Sequence, residues 1–139
     1  MPIATLFIAV SAAIIGLLGC IHLLYTFSSN KFDPRDAALT QALKLVPPII
    51  SRETSMARAA KGFHASHSFG TLLFALIYGY LALWHADFFL QSLFLLGLGW
   101  ALLLGYLVLA KCYWFSIPFR GTGVAFVLYT AGLLVALVS

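Results

Sequence analysis

Residues 3–27 read IATLFIAVSAAIIGLLGCIHLLYTF, with no Lys, Arg, Asp, Glu or Pro among them. A run this long and apolar exceeds the ~20 residues with which a helix crosses a bilayer. Three more runs, residues 62–84, 88–110 and 121–138, reach or approach that length. The chain therefore reads as all-α, an integral membrane protein with four spans. Composition agrees: the 139 residues are 63% hydrophobic and 9% charged, against about 25% charged in a soluble domain. Mean hydropathy is +1.02. The four spans form one transmembrane domain and leave no length for a soluble catalytic module, so any chemistry must lie between helices.

All eight Lys and Arg residues fall in two gaps between the runs. Lys31, Arg35, Lys44, Arg52, Arg58 and Lys61 lie between or flank spans one and two, and Lys111 and Arg120 lie between spans three and four. The positive-inside rule puts both gaps in the cytoplasm and leaves Met1, Ser139 and the turn at residues 85–87 on the outer side of a bacterial inner membrane. The formal net charge of +4 is thereby placed against an anionic leaflet, so membrane lipids rather than nucleic acid are the expected partners. The N-terminus lacks a basic n-region and its apolar run is too long for a signal peptide, so span one is expected to be retained. Cys20 and Cys112 read as free thiols, Cys20 as a small packing residue.

The short turn after Trp84 and a loop of about ten residues at 111–120 make consecutive spans antiparallel, which predicts a four-helix up-and-down bundle. In the first loop Asp33 reads as an N-cap with Pro34 at the first helical position, and Arg35 to Val46 as an amphipathic helix stopped by Pro47 and Pro48. Its apolar positions predict that it lies along the membrane surface. Good helix formers from about Thr54 extend span two into the cytoplasm. Gly62, Ser66 and Gly70 share one face and predict close helix packing, with Ala12 and Gly16 as a comparable surface on span one. Trp84, Phe88, Phe89, Tyr113 and Trp114 are expected at the aromatic belts.

An ionisable side chain within a span is costly, which makes it a functional hypothesis by default. His22 lies near the cytoplasmic end of span one, and His64 and His67 lie in the first two turns of span two at matching depth. At 100° per residue the latter two are about 60° apart, with Thr71 between them and Tyr78 further along the stripe. Tyr25, Thr26, Ser11 and Ser29 project near His22. A His/Tyr pocket near the cytoplasmic face follows, lined by His22, His67, Tyr25 and His64. The imidazoles hydrogen-bond within the protein, or they hold a metal ion, a haem or a quinone head group; no carboxylate or second thiol accompanies them to complete an ordinary zinc set. Arg52, Glu53 and Thr54 read as a solvated helix start, with anion capture as the alternative. His85 and Asp87 read as exposed loop residues.

Residues 19–27 (GCIHLLYTF), 31–36 (KFDPRD), 51–68 (SRETSMARAAKGFHASHS) and 106–118 (YLVLAKCYWFSIP) together resemble an uncharacterised family of small four-span bacterial membrane proteins. The resemblance covers most of the chain and implies the same fold, without an activity to carry over. It also implies Asn where this chain has His64, which makes His22 and His67 the better ligand pair. No nucleophilic triad, phosphate loop or paired carboxylates are present, so the expected function is a non-catalytic accessory or ligand-binding subunit, working with other membrane subunits or as a homo-oligomer. The alternatives are a redox or membrane-enzyme subunit with haem, metal or quinone in the pocket, and a small transporter. The transporter lacks an intramembrane acid for proton coupling, since Asp33, Asp36, Glu53 and Asp87 all lie outside the spans.

Overall fold

The computed structural model describes residues 3–138, and among these the chain forms six helices: α1 (Ile3–Ser28), α2 (Ala37–Leu45), α3 (Met56–Trp84), α4 (Ala86–Gln91), α5 (Leu93–Tyr113) and α6 (Ser116–Val138). α1, α3, α5 and α6 are each long and apolar enough to cross a membrane. The protein is all-helical and membrane-embedded.

Helix limits depart from the sequence reading at three places. Residues 88–110 do not form one run: Ser92 separates α4 from α5, and its hydroxyl accepts the Leu95 N–H at 3.3 Å as a cap. The expected ten-residue loop at 111–120 shrinks to Trp114 and Phe115, because Pro118 falls in the first turn of α6, where a missing N–H breaks no helical bond. α2 is capped by Asp36 rather than Asp33: one Asp36 oxygen accepts from the N–H groups of Ala38 (2.8 Å) and Leu39 (3.1 Å).

By its internal contacts the chain divides into two units, Met1–Leu18 with Thr71–Ser139, and Gly19–Gly70. In the first, small residues let helices approach closely. A methyl group on Gly132 would lie 2.7 Å from the Ala4 carbonyl oxygen and 2.8 Å from a side-chain carbon of Ile8, so α6 meets the backbone of α1 there. Gly16 abuts Ala75, and Gly79 faces Ala12. Polar groups act between helices: Ser11 donates to the Ala125 carbonyl at 2.7 Å, and Trp100 Nε1 donates to Thr130 Oγ1 at 3.1 Å. The hydroxyls of Tyr78 and Tyr129 reach the successive carbonyls of Leu95 and Leu96, each at 3.1 Å. Gly99 makes room for both, since a Cβ there would fall 2.5 Å from Tyr78 Cε1 and collide with the Tyr129 hydroxyl. In hydrocarbon these groups have no water to turn to, which is why hydroxyl, indole and carbonyl meet in pairs.

Several packing expectations are corrected. A methyl group on Gly62 would meet nothing within 4 Å and Ser66 is exposed, so the Gly62, Ser66 and Gly70 face is not the packed one. α3 instead buries Ala65, Ser68, Thr71, Phe74 and Tyr78. Two faces carried small residues, and the one with two hydroxyls, Ser68 and Thr71, gains more by leaving lipid than the one with Ser66 alone. Phe89 is fully buried against Tyr78, with ring centroids 5.8 Å apart, and is a core residue rather than part of a belt. Cys20 is exposed, not packed; Cys112 is exposed too, and both are free thiols.

The second unit contains the end of α1, all of α2 and the start of α3. Its connections are held by backbone bonds. The Met56 N–H donates to the Val46 carbonyl at 2.9 Å, joining the end of α2 to the start of α3, and the Ser51 N–H closes a turn onto Pro48 at 3.3 Å. Ser55 then starts α3, its hydroxyl accepting the Arg58 N–H at 3.4 Å.

Candidate functional site

Within the second unit, the last two turns of α1 and the first turns of α3 bring three imidazoles together. His22 Nε2 and His64 Nδ1 are 3.2 Å apart, a hydrogen bond whose donor depends on the tautomers. The His67 ring lies edge-on to His22, with centroids 5.1 Å apart. Nearby hydroxyls are occupied within their own helices: Thr26 donates to the His22 carbonyl at 2.8 Å and Ser68 to that of His64 at 3.1 Å.

Phe32, from the segment between α1 and α2, covers the pair. It stacks on His64 at 4.5 Å with an interplanar angle of 12°, and its centroid is 4.6 Å from that of His22. Beside it is a cavity of about 200 Å³, lined by Tyr25, Phe32, Asp33, Leu43, Lys44, Met56, Lys61 and His64 among others. The Val46–Met56 bond positions the end of α2 so that Leu43 and Lys44 face the same cavity as Lys61 and His64. The Lys61 ammonium sits 5.9 Å from the centre of the Phe27 ring, and that of Lys31 sits 5.1 Å from the centre of Tyr25. Aromatic faces thus attract both cations to this end of the helices.

Of the four side chains expected to form a pocket, His64 and Tyr25 line the cavity, whereas His22 and His67 do not. His22 approaches both imidazoles: its ring centroid is 5.1 Å from that of His67 and 5.3 Å from that of His64, and the hydrogen bond runs to His64. The polar stripe does not continue as one site: Ser11 bonds to Ala125 and Tyr78 to Leu95 in the first unit, while Ser29 returns to the Tyr25 carbonyl at 2.8 Å. Phe32, Asp33, Lys44 and Lys61 were not expected at the site. Their only sequence signal was a place in or beside the longer of the two basic gaps. Arg52, Glu53 and Thr54 precede α3 and do not span a helical turn. His85 is exposed, with Nε2 2.9 Å from the Tyr80 hydroxyl.

Chemically, the cavity offers imidazole, phenol and ammonium groups beside apolar walls, an arrangement suited to holding a polar head group. Among the described residues no three His, Cys, Asp or Glu side chains are grouped to hold a metal ion. Two axial haem ligands must stand on opposite faces of a macrocycle, and imidazoles in direct hydrogen-bond contact do not leave that slab between them. Comparison with family models, curated proteins and solved structures finds no match for this chain.

Proposed function

We propose that this chain is a non-catalytic membrane protein that binds a small ligand by its polar head group in the cavity beside His64 and Tyr25, serving as an accessory or ligand-binding subunit. The observation that carries this reading is the meeting, in one unit, of the His22–His64 pair with a cavity whose wall combines Tyr25, Lys44 and Lys61 with Phe32, Leu43 and Met56. Hydrogen-bonding groups fix the orientation of a head group, and apolar walls accept what is attached to it. The His22–His64 bond supports the pocket by holding the His64 ring in place, and the His67 ring packs edge-on against His22.

The accompanying topology is an up-and-down bundle in a bacterial inner membrane, with both termini outside and α2 lying along the cytoplasmic surface. It is supported by the confinement of all eight cations to the gaps between spans one and two and between three and four. Contacts that pair Ala12 with Gly79 and Gly16 with Ala75 support opposed directions for α1 and α3. Cysteine labelling at Ser139 tests the orientation, and reaction solely from the cytoplasmic side overturns it.

The ligand is tested by purifying the protein from native membranes in mild detergent and identifying small molecules released on denaturation, with a visible spectrum and metal analysis on the same sample. A stoichiometric organic ligand lost in the His64→Ala and Tyr25→Phe variants is the expected result. A haem spectrum, bound metal, or no retained molecule overturns the reading.

A further inference from the structure

The most exposed large apolar side chains outside the spanning helices lie together in the second unit. Ile49 and Ile50 are 109% and 93% exposed, and Leu45 just before them is 81% exposed. They follow Pro47 and Pro48 in the connection from α2 to α3. This is not a loose stretch of chain. The Val46–Met56 bond closes its base and the Ser51–Pro48 bond tightens its tip, while the two prolines restrict the backbone that presents the isoleucines. A turn built so as to hold two isoleucines away from the rest of its unit requires something apolar to receive them.

We infer that the turn carrying Ile49 and Ile50 is a wedge that inserts into the cytoplasmic leaflet, and that the acyl region of anionic lipid is what receives it. Two observations select lipid over a protein partner. The base of the turn is bonded to Met56, the first residue of a helix long and apolar enough to cross the membrane, so the tip is tethered to the start of that helix. Lys44 and Arg52 bracket the apolar stretch, with Glu53 as the one acid beside them. Cations flanking exposed aliphatic side chains complement an anionic head-group layer above hydrocarbon. The wedge also gives a physical role to the double proline: a turn with few accessible conformations loses little entropy when it enters lipid.

The inference is tested on the full chain with Cys20→Ser and Cys112→Ser, reconstituted in vesicles of phosphatidylcholine with or without phosphatidylglycerol. An environment-sensitive fluorophore is attached at Ile50→Cys in one sample and at Glu53→Cys in another, with iodide on both sides of the membrane and nitroxide-labelled lipid as a second quencher. At position 50, iodide quenching about fivefold weaker than at position 53, with strong quenching by shallow lipid nitroxides, is expected. Equal iodide access at the two positions overturns the wedge. Shielding from iodide without quenching by the lipid nitroxides also overturns it, because a protein surface would then be the cover. Adding Lys44→Glu and Arg52→Glu should raise iodide access at position 50 in the phosphatidylglycerol vesicles; no change there overturns the choice of anionic lipid. Unchanged elution and thermal unfolding of each variant keep these readings separate from misfolding.

Discussion

The first unit uses four of its polar side chains to join helices, beside the local bonds of Thr122 and Thr130, whereas the second satisfies most of its own within helices. In the first, Ser11, Tyr78, Tyr129 and Trp100 each reach a partner on another helix. In the second, Thr26, Ser66 and Ser68 return to carbonyls three or four residues earlier in their own helices, and Ser29, just past α1, returns to that of Tyr25. The difference is one of purpose. Interhelical bonds hold helices in register, while intrahelical ones silence a hydroxyl and leave the surrounding surface to other groups. In the second unit those groups are the imidazoles, Phe32 and a cavity with two lysines in its wall.

The strongest way to break this comparison is to substitute glycine in both units. Gly132→Ala should lower stability in detergent by about 1–3 kcal/mol, since the Ala4 backbone cannot yield as a flexible side chain would. Tyr129→Phe should cost about 1 kcal/mol by leaving the second lone pair of the Leu96 carbonyl without its hydroxyl donor. Its counterpart in the second unit, Ser29→Ala, removes an exposed local bond and should stay within ~0.5 kcal/mol. Chemical or thermal unfolding checks all three, and equal losses for Tyr129→Phe and Ser29→Ala would erase the distinction between the two kinds of bond.

Gly62→Ala should go the other way. It meets open space within a helix, so stability should rise by up to about 1 kcal/mol from helix propensity alone. A loss comparable to that of Gly132→Ala would show that the Gly62 face is covered in the membrane, for example by a second copy. The smallest effect on stability belongs to Lys44→Gln, whose exposed side chain should contribute within ~0.5 kcal/mol. The same substitution should reduce the amount of co-purified ligand, as read by mass spectrometry. That dissociation of binding from stability would sharpen the contrast between a unit that packs and a unit that holds.

Four spans were legible because length and hydropathy are sums over many residues, and a single Ser92 or Pro118 barely alters such a sum. Those same residues decide where the helices stop, by capping Leu95 and by needing no N–H in a first turn. The meeting of His22 with His64 and His67 followed from matching depth on neighbouring helices. What depth leaves open is rotation about the helix axis, which decides that His64 is hydrogen-bonded to His22 and that the packed face of α3 is that of Ala65, Ser68 and Thr71. Phe32 and Lys44 reach the site through a loop whose path depends on the Val46–Met56 bond. Periodicity carries no information about such a bond.

The His22–His64 hydrogen bond has an effect that reaches beyond the two rings. Only one hydrogen fits between His22 Nε2 and His64 Nδ1. In the neutral pair, a ligand that donates to His64 Nε2 requires the hydrogen on His64 Nδ1, and His22 must then carry its own on Nδ1. A ligand that instead accepts from His64 Nε2 reverses every assignment, leaving His22 Nδ1 bare. The pair would therefore behave as a parity device: the polarity of a ligand bonded to His64 Nε2 would be copied, ring by ring, to Nδ1 on the opposite edge of His22.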